Sequence, residues 1–482
     1  FQLGTEFLYR SGNEPREIIL WSRFPMILLS ILLGWFLFFW ARKLAGNYVG
    51  LGVLTLFVFS PTFLAHGRLV TTDVGAALGA VLAIYFWLRF LEQPNRLRVI
   101  IAGIALGIAM LLKFTLALLI PSFGILTILY ALRHSTSPPK HSLKKYIGLA
   151  ILVGMVALAV IWPVYQFHIA NYPAERQVRD TFADLVQGKF TFYEKFTVWM
   201  ADKPELRPIA QYLRGVLMAT QRATFGNTTY FAGEVSSSGW WYYFPVIYLL
   251  KIPLAFHILT LIGILGIVCM RKKSFWLFAF ALFIGSYWLA ALAGNLNIGI
   301  RHMLPVLPFT YILVLLGVQT IVSRIHSLRL KRAAMASIIL LFIWYIGSSL
   351  AAFPHYIPYY NELAGGTKNG YKVAVDSNYD WGQDFYRLLD FAEKNNIEML
   401  HLDYFGGEDP EYWLRGRYIK LNPTQMKKAP TGWVAVSSNQ LQGGLAKPAP
   451  GFDQETGFYN WLLPYTPVER IGNTIFIYQI NI

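Results

Sequence analysis

Hydrophobic residues occur along this chain in long runs, and short polar stretches separate the runs. "FPMILLSILLGWFLFFW" and "AAMASIILLFIWYIGSSLAAF" are two of them. A run of about 18–20 residues with few charges has the length of a helix that crosses the hydrocarbon core of a bilayer. The pattern predicts a polytopic α-helical membrane protein with ten spans, at about residues 24–41, 48–65, 74–92, 98–112, 115–132, 146–167, 252–270, 275–293, 303–322 and 334–353.

The basic residues between these spans predict the orientation of the chain. They cluster in every second loop, at Arg42/Lys43, Arg89/Arg96/Arg98, Arg133/Lys140/Lys144/Lys145, Arg271/Lys272/Lys273 and Arg324/Arg329/Lys331/Arg332. Because cytoplasmic loops are rich in Lys and Arg, we assign these loops to the cytoplasm. Residues 1–23, 66–73, 168–251, 294–302 and 354–482 then face the other side. The same bias explains much of the net charge of +16, so that charge does not indicate nucleic acid.

Two of the outer segments are large enough to carry structure of their own. Residues 168–251 form a loop rich in aromatic and charged residues. Residues 354–482 contain three strand-like segments, "YKVAVDS", "IEMLHLDYF" and "GWVAVSS", and a helix-like segment, "DWGQDFYRLLDFAEKNN". This order predicts a transmembrane core over residues 1–353 and a small extracytoplasmic α/β domain over residues 354–482.

The first candidate site is the outer loop "HGRLVTTDVG", where His66, Arg68 and Asp73 stand between two apolar runs. An ionisable side chain near the hydrocarbon region is costly unless it is paired or faces water, so it marks a functional site by default. A bland alternative is that Thr72 or Asp73 only caps the next helix.

Further cations stand at the other outer entrances to the membrane. Lys113 interrupts the stretch "GIALGIAMLLKFTLALLIP", which we interpret as two spans joined by a turn at the outer surface, although it could also snorkel from a single span. Lys251 and Arg301 each precede a later span. Together with Arg68, these cations suit a phosphate whose lipid tail remains in the bilayer.

The segment "GEVSSSGWWYYFPV" places Glu234 beside Trp240 and Tyr243. Aromatic side chains at this depth commonly form the belt of residues at the membrane interface. The alternative, which implies a specific function, is that they form a wall that binds a sugar. His66 and His302 are further candidates for substrate contact. The sequence has neither a glycine loop of the nucleotide-binding type nor a paired-Cys or His-x-x-x-His zinc motif, so we expect no cofactor and assign no metal ligand.

Five segments resemble bacterial members of the glycosyltransferase 39 group, which are polyprenyl-phosphate-sugar-dependent relatives of protein O-mannosyltransferases. They are "SPTFLAHGRLVTTDVG", "LLKFT…LLIP", "GEVSSSGWWYYFPVIYLLKIP", "IGIRHMLPVLPF" and "DSNYDWGQDFYRLLDF". The resemblance implies the C-type glycosyltransferase fold and a lipid-linked sugar donor used outside the cytoplasm. It also implies a multi-pass protein of the bacterial inner membrane.

The chain departs from the family at its start. The family's principal acidic motif lies in the first outer loop, after a first span, whereas this sequence begins at the amphipathic stretch that follows, "FQLGTEFLYRSGNEPREIILWSRFP". We therefore expect either that the native gene encodes that span and acid before Phe1, or that the protein lacks the usual catalytic acid.

The sequence as a whole predicts an inverting glycosyltransferase of the hexosyl or mannosyl type, acting on a protein or glycolipid acceptor and in contact with membrane lipids. Asp73 is the candidate catalytic residue, either orienting the acceptor or a cation, or acting as the base if no upstream acid exists. The candidate phosphate ligands are Arg68, Lys113, Lys251 and Arg301, and the candidate sugar or substrate contacts are His66, Glu234, Trp240, Tyr243 and His302. Two alternatives are a lipid-sugar flippase or transporter, and a structural subunit of a membrane complex.

Overall fold

The computed structural model describes residues 2–133, 139–186, 191–270, 274–425 and 429–480. Most of these residues are helical. The α-helices are α1 (Gln2–Thr5), α2 (Pro15–Ala45), α3 (Asn47–Val58), α4 (Pro61–His66), α5 (Thr72–Glu92), α6 (Arg96–Leu112), α7 (Leu119–Arg133), α8 (Pro139–His168), α9 (Ala174–Leu185), α10 (Thr191–Ala201), α11 (Arg207–Phe225), α12 (Tyr243–Lys251), α13 (Leu254–Cys269), α14 (Phe275–Ala293), α15 (Leu307–Ser323), α16 (Leu328–Ala352), α17 (Phe385–Lys394), α18 (Pro410–Leu414) and α19 (Ser438–Leu445).

Helices lie over all ten predicted spans. Within the described residues, seven helices are long and apolar enough to cross a membrane, or eight if α12 and α13, which are bent by 111° to one another, count as one span. Two of the predicted spans fall on shorter helices, α3 with 12 residues and α6 with 17. The helical membrane architecture is therefore confirmed, and the number ten stays a prediction. Arg271–Lys273 and the side chain of Lys140, used for the orientation, lie outside the described part.

Helix α5 occupies the centre of the bundle. Of the residues in its most apolar 18-residue segment, 78% are buried inside the protein. This share is larger than in the other described helices that are long enough to cross a membrane. It packs against α2, α6 and the 3-10 helix Ile300–Val306 that precedes α15. Its first turn, which begins at Thr72, is consequently surrounded by other elements, and any charged group there needs partners from them.

Helices α13 and α15 cross at unusually short range because their contact is made of glycines. A Cβ atom added to Gly266 would lie 1.9 Å from the carbonyl oxygen of Gly317, and one added to Gly317 would lie 1.9 Å from that of Gly263. Only the missing side chains allow the two backbones to approach this closely. The crossing fixes α15, and with it the loop that leads into α15.

The C-terminal region contains a five-stranded mixed sheet with the strand order β4-β3-β5-β8-β7. The strands are β3 (Leu400–Asp403), β4 (Tyr418–Lys420), β5 (Gly432–Ser437), β7 (Glu469–Ile471) and β8 (Ile475–Ile480). Strand β3 runs parallel to β4 and β5, whereas β8 is antiparallel to β5 and β7. Apolar residues of α17, including Phe385 and Leu388, are buried against one face. A small β-containing C-terminal region is thus present, with two of the three predicted strands at β3 and β5.

The prediction of a third strand over residues 371–377 is wrong. This segment forms the 3-10 turns Gly370–Lys372 and Asp376–Asn378. Its backbone forms a hydrogen bond with a distant segment instead of a neighbouring strand of the five-stranded sheet: the carbonyl of Val373 accepts from the amide of Ala232 in the outer loop. The second turn directs Ser377 and Asn378 towards the membrane part, as described below.

A second, three-stranded sheet joins the outer loop (residues 168–251) to the tail (residues 354–482). Strands β1 (Thr229–Phe231) and β2 (Glu234–Ser236) form a hairpin, and β6 (Lys447–Pro448) from the tail pairs in parallel with β2. The amides of Lys447 and Ala449 donate to the carbonyls of Gly233 and Val235. The sheet therefore crosses the sequence boundary predicted at residues 353/354, and the division into two domains stays a prediction.

Candidate active site

Asp73 lies on the first turn of α5 and forms ion pairs with two cations. Its carboxylate is 1% exposed, with the Lys113 Nζ 2.5 Å from Oδ1 and the Arg301 Nη1 3.3 Å from Oδ2. Lys113 follows the last residue of α6, and Arg301 belongs to the 3-10 helix before α15. Three separate elements thus place two positive charges on one negative charge, and the cluster keeps a formal charge of +1.

Residues of the tail also contact this cluster. The Arg301 Nε donates a hydrogen bond to the Ser377 Oγ at 3.0 Å, and the Arg301 guanidinium lies 4.6 Å from the ring centroid of Trp381. The side-chain amide of Asn378 accepts from the Ile300 amide at 2.9 Å. These three tail residues were not among the predicted site residues, although all of them lie in "DSNYDWGQDFYRLLDF", one of the segments that resemble the family.

Two histidines lie near Asp73, and their role as substrate contacts stays a prediction. His66, which ends α4, is buried, and its ring centroid lies 6.1 Å from that of Trp381. Among the described residues, the His66 Nδ1 and the His302 Nε2 are buried without a hydrogen-bond partner. Each histidine lies within electrostatic range of Asp73. They leave polar atoms available for a ligand beside the charged cluster.

Lys251 is placed differently from what the sequence predicted. Its side chain is buried at the elbow between α12 and α13, where the Nζ donates hydrogen bonds to the carbonyls of Ile357 at 2.7 Å and Asn378 at 2.6 Å. The ammonium also lies 4.6 Å from the ring centroid of Tyr360. Because these contacts engage two of its three N–H donors, Lys251 connects the elbow to the tail in this structure, and its role as a phosphate ligand stays a prediction.

Arg68 lies apart from the other three predicted cations, in a cavity of about 530 Å³ between the membrane part and the tail. Two further arginines, Arg23 and Arg387, line the same cavity, as does Trp381. The four predicted phosphate ligands therefore divide among three places: Lys113 and Arg301 contact Asp73, Lys251 lies at the elbow, and Arg68 joins a second cluster that the sequence did not predict.

The three predicted sugar contacts on the outer loop also separate. Tyr243 is fully buried, and its hydroxyl accepts a hydrogen bond from the Asn378 side-chain amide at 2.7 Å. Trp240 is half-buried against Phe231, with the ring centroids 5.4 Å apart. Glu234 is exposed on β2, opposite Lys447. Tyr243 is thus a support beneath the charged cluster, and Glu234 lies on the outer surface of the hairpin.

The chemistry open to this arrangement is the stabilisation of developing negative charge. Lys113 and Arg301 are held by a buried carboxylate, so they need little reorganisation when an anion forms beside them. Both are partly buried, with side chains 11% and 18% exposed, which strengthens their field compared with cations in water. Phosphate is a suitable anion, since guanidinium and ammonium groups both bind it.

Comparisons with known proteins agree with the resemblance seen in the sequence. A search of curated proteins gave no match. Two solved structures are similar, each with a TM-score of 0.44: an oligosaccharyltransferase from Archaeoglobus fulgidus in the apo form, at 15% identity, and ArnT from Cupriavidus metallidurans bound to undecaprenyl phosphate, at 14% identity. The alignments cover 82% of this chain and 49% of the first structure, and 95% of this chain and 83% of the second. Residues 19–166 match the family model of the dolichyl-phosphate-mannose-protein mannosyltransferases.

Proposed function

We propose that this protein transfers a sugar, with inversion, from a polyprenyl-phosphate donor to a protein or glycolipid acceptor at the extracytoplasmic face of a bacterial inner membrane. The observation that carries the proposal is the buried Asp73 carboxylate between Lys113 and Arg301. The family-model match supports it, because residues 19–166 include Arg68, Asp73 and Lys113. The tail, which supplies Ser377 and Trp381 to the same cluster, lies on the outer side in this proposal.

In the proposed reaction, the acceptor oxygen forms a bond to the anomeric carbon while the bond from that carbon to the phosphate oxygen breaks. The phosphate leaves with the electron pair, and Lys113 and Arg301 stabilise its negative charge. The acceptor proton passes to a general base. The family resemblance implies that this base is an acid of the family's first outer loop.

Asp73 acts in this proposal as a positioning residue. Each of its carboxylate oxygens already accepts a bond from a cation, so its main contribution is to fix the places of Lys113 and Arg301. A positioning residue of this kind affects the rate of the chemical step more than the affinity for the donor. This corresponds to the role predicted from the sequence if another residue serves as the base.

The test is donor consumption in lipid nanodiscs by the protein expressed from its whole native reading frame. A panel of undecaprenyl-phosphate sugars is incubated with the protein and with a membrane extract as the source of acceptors, and released undecaprenyl phosphate is measured. We expect release with at least one donor, and about 100-fold less with Lys113→Met or Arg301→Met, since each removes roughly 3 kcal/mol of charge stabilisation.

Lys144→Met, which removes an exposed charge at the start of α8, is the matched control and should retain release. If no donor of the panel is consumed, or if Arg301→Met releases undecaprenyl phosphate as fast as the unmodified chain, the proposed reaction is wrong.

A further inference from the structure

The cavity that contains Arg68 is built by four separate parts of the chain. Its walls come from the N-terminal segment and the start of α2, from the loop after α4, from residues 354–358, and from residues 381–408 of the tail. Arg16 holds the first and last of these together, because its guanidinium lies 4.1 Å from the ring centroid of Tyr386 and 4.9 Å from that of Trp413. The Tyr9 hydroxyl also donates to the Glu408 Oε2 at 2.9 Å. The cavity is therefore a built feature of the fold.

Three like charges face this cavity. Arg23 and Arg68 form no ion pair within the described residues, and Arg387 pairs with the buried Asp384. Burial, followed by the charges of Arg23 and then Arg387, lowers the pKa of Arg68. Arg23 and Arg68 thus share the cavity without a counter-ion of their own among the described residues, and an anion placed between them would relieve their repulsion. Arginine is also the side chain best suited to bind phosphate through two parallel hydrogen bonds.

Two acids line the same cavity, and within the described residues neither forms an ion pair with these arginines. The Glu408 Oε2 accepts hydrogen bonds from the Tyr9 hydroxyl and from the Trp413 Nε1 at 3.0 Å, so this carboxylate is tied to the wall. Asp390 is on the exposed side of α17. The positive side of the cavity is thus the side formed by α2, the loop after α4 and Arg387.

The apolar part of the lining points to a lipid as the carrier of the anion. Leu8, Ile19 and Leu69 line the cavity beside the arginines. On α2, Leu20, Trp21 and Phe24 are exposed next to Arg23, on the helix that runs on into the first membrane-length span. A phosphate at Arg23 and Arg68 would therefore lie at the depth of lipid headgroups, with its hydrocarbon beside α2.

We propose that this cavity is a binding site for the phosphate of a lipid, with Arg23, Arg68 and Arg387 as its ligands, and that it is distinct from the Asp73 cluster. Trp381 separates the two, since it lines the cavity and lies 4.6 Å from Arg301. The inference deepens the proposed function, which needs a lipid-borne phosphate near Asp73. The phosphate belongs either to a donor before it moves to the Asp73 cluster or to a phosphorylated lipid acceptor.

The experiment measures binding without turnover. The full chain in phosphatidylcholine nanodiscs is titrated with phosphatidic acid, with undecaprenyl phosphate and with inorganic phosphate, and bound lipids are counted by native mass spectrometry. We expect both lipids to bind, and we expect Arg23→Gln, Arg68→Gln or Arg387→Gln to weaken binding by about 10- to 100-fold, the loss of one charged hydrogen bond. Arg68→Lys, which keeps the charge, should restore part of it.

Arg415→Gln is the matched control, because it removes an exposed tail arginine whose side chain makes no hydrogen bond or ion pair within the described residues. Thermal unfolding of each variant identifies any that fails to fold. The inference is overturned if the three Gln variants fold and bind both lipids as the unmodified chain does, if Arg415→Gln weakens binding equally, or if inorganic phosphate binds as tightly as the lipids.

Two further arms identify the lipid and separate this inference from the proposed reaction. If undecaprenyl phosphate displaces phosphatidic acid, the cavity serves the donor, and if both bind together, it serves a second lipid; either result supports the inference. A chain that binds lipid phosphate through these arginines but consumes no donor would refute the proposed reaction and leave this site in place.

Discussion

The Lys113 ammonium lies 2.5 Å from the Asp73 Oδ1, although 40 residues separate them. The two residues belong to neighbouring helices, one at the start of α5 and the other directly after the end of α6. Antiparallel neighbours bring these two positions to the same end of the bundle. The ion pair therefore contributes both to the packing of α5 against α6 and to the proposed chemistry. Mutations can separate these two contributions.

Asp73→Asn leaves Lys113 and Arg301 close together without their shared counter-charge. Breaking a buried ion pair from one side costs about 3–5 kcal/mol, so we expect a clearly lower temperature of thermal unfolding. The double variant Asp73→Asn/Lys113→Met removes one of the two opposed cations and should recover part of that stability, whereas sugar transfer should remain lost. Recovery of both stability and transfer would show that the ion pair serves packing alone.

Lys251→Met tests whether this lysine supports the fold or binds phosphate. The change leaves the carbonyls of Ile357 and Asn378 without their donor, which should lower stability by about 2–4 kcal/mol. We expect the affinity for undecaprenyl phosphate to be unchanged at temperatures where the variant is folded. A variant that keeps full stability but loses that affinity would restore the phosphate-binding role predicted from the sequence.

Gly317→Ala tests the crossing of α13 and α15. The new methyl group would overlap the carbonyl oxygen of Gly263, and relief requires the two helices to separate. Overpacking of this kind costs about 1–3 kcal/mol or more, and the shift of α15 should also disturb Arg301. Gly285→Ala on α14 is the control, because an added Cβ there meets no atom within 4 Å and alanine favours the helix. Equal unfolding temperatures for the two variants would contradict the prediction.

Asp380 should make the stability of the tail depend on pH. Burial raises the pKa of this carboxyl to about 7, against the opposing hydrogen bonds from the Gly382 and Asn439 amides and the Ser438 hydroxyl. Because the folded state then binds the proton more tightly than the unfolded state, the contribution of Asp380 to stability is greatest below about pH 4 and is lost as the pH rises through about 7. Asp380→Asn should flatten this part of the profile of unfolding temperature against pH. A profile of unchanged slope would refute the assignment.

The sequence predicted the helical elements well because a membrane helix needs a long apolar run wherever it lies in the chain. It also located Asp73, Lys113 and Arg301, since a charged residue at the edge of an apolar run is conspicuous. It could not predict that the carboxylate joins these two cations, because that pairing depends on how α5, α6 and α15 pack.

Other residues escaped prediction for local reasons. Arg23 precedes an apolar run, where a cation reads as an ordinary interfacial residue, and Arg387 sits in an amphipathic helix of the tail. Residues 371–377 have the alternation of a strand, but the hydrogen bond from Ala232 to Val373 comes from a loop more than 130 residues away along the chain. Such long-range partners leave no signal in a local pattern.

The pairing of β6 with β2 has a consequence for engineering. The tail contributes one strand to a sheet whose other two strands belong to the loop between α11 and α12. A chimera that exchanges residues 354–482 for the tail of a related transferase would therefore leave β2 with an open edge, a known starting point for aggregation. The unit to transplant is the tail together with the hairpin Thr229–Ser236, so that both sides of the shared sheet come from one parent.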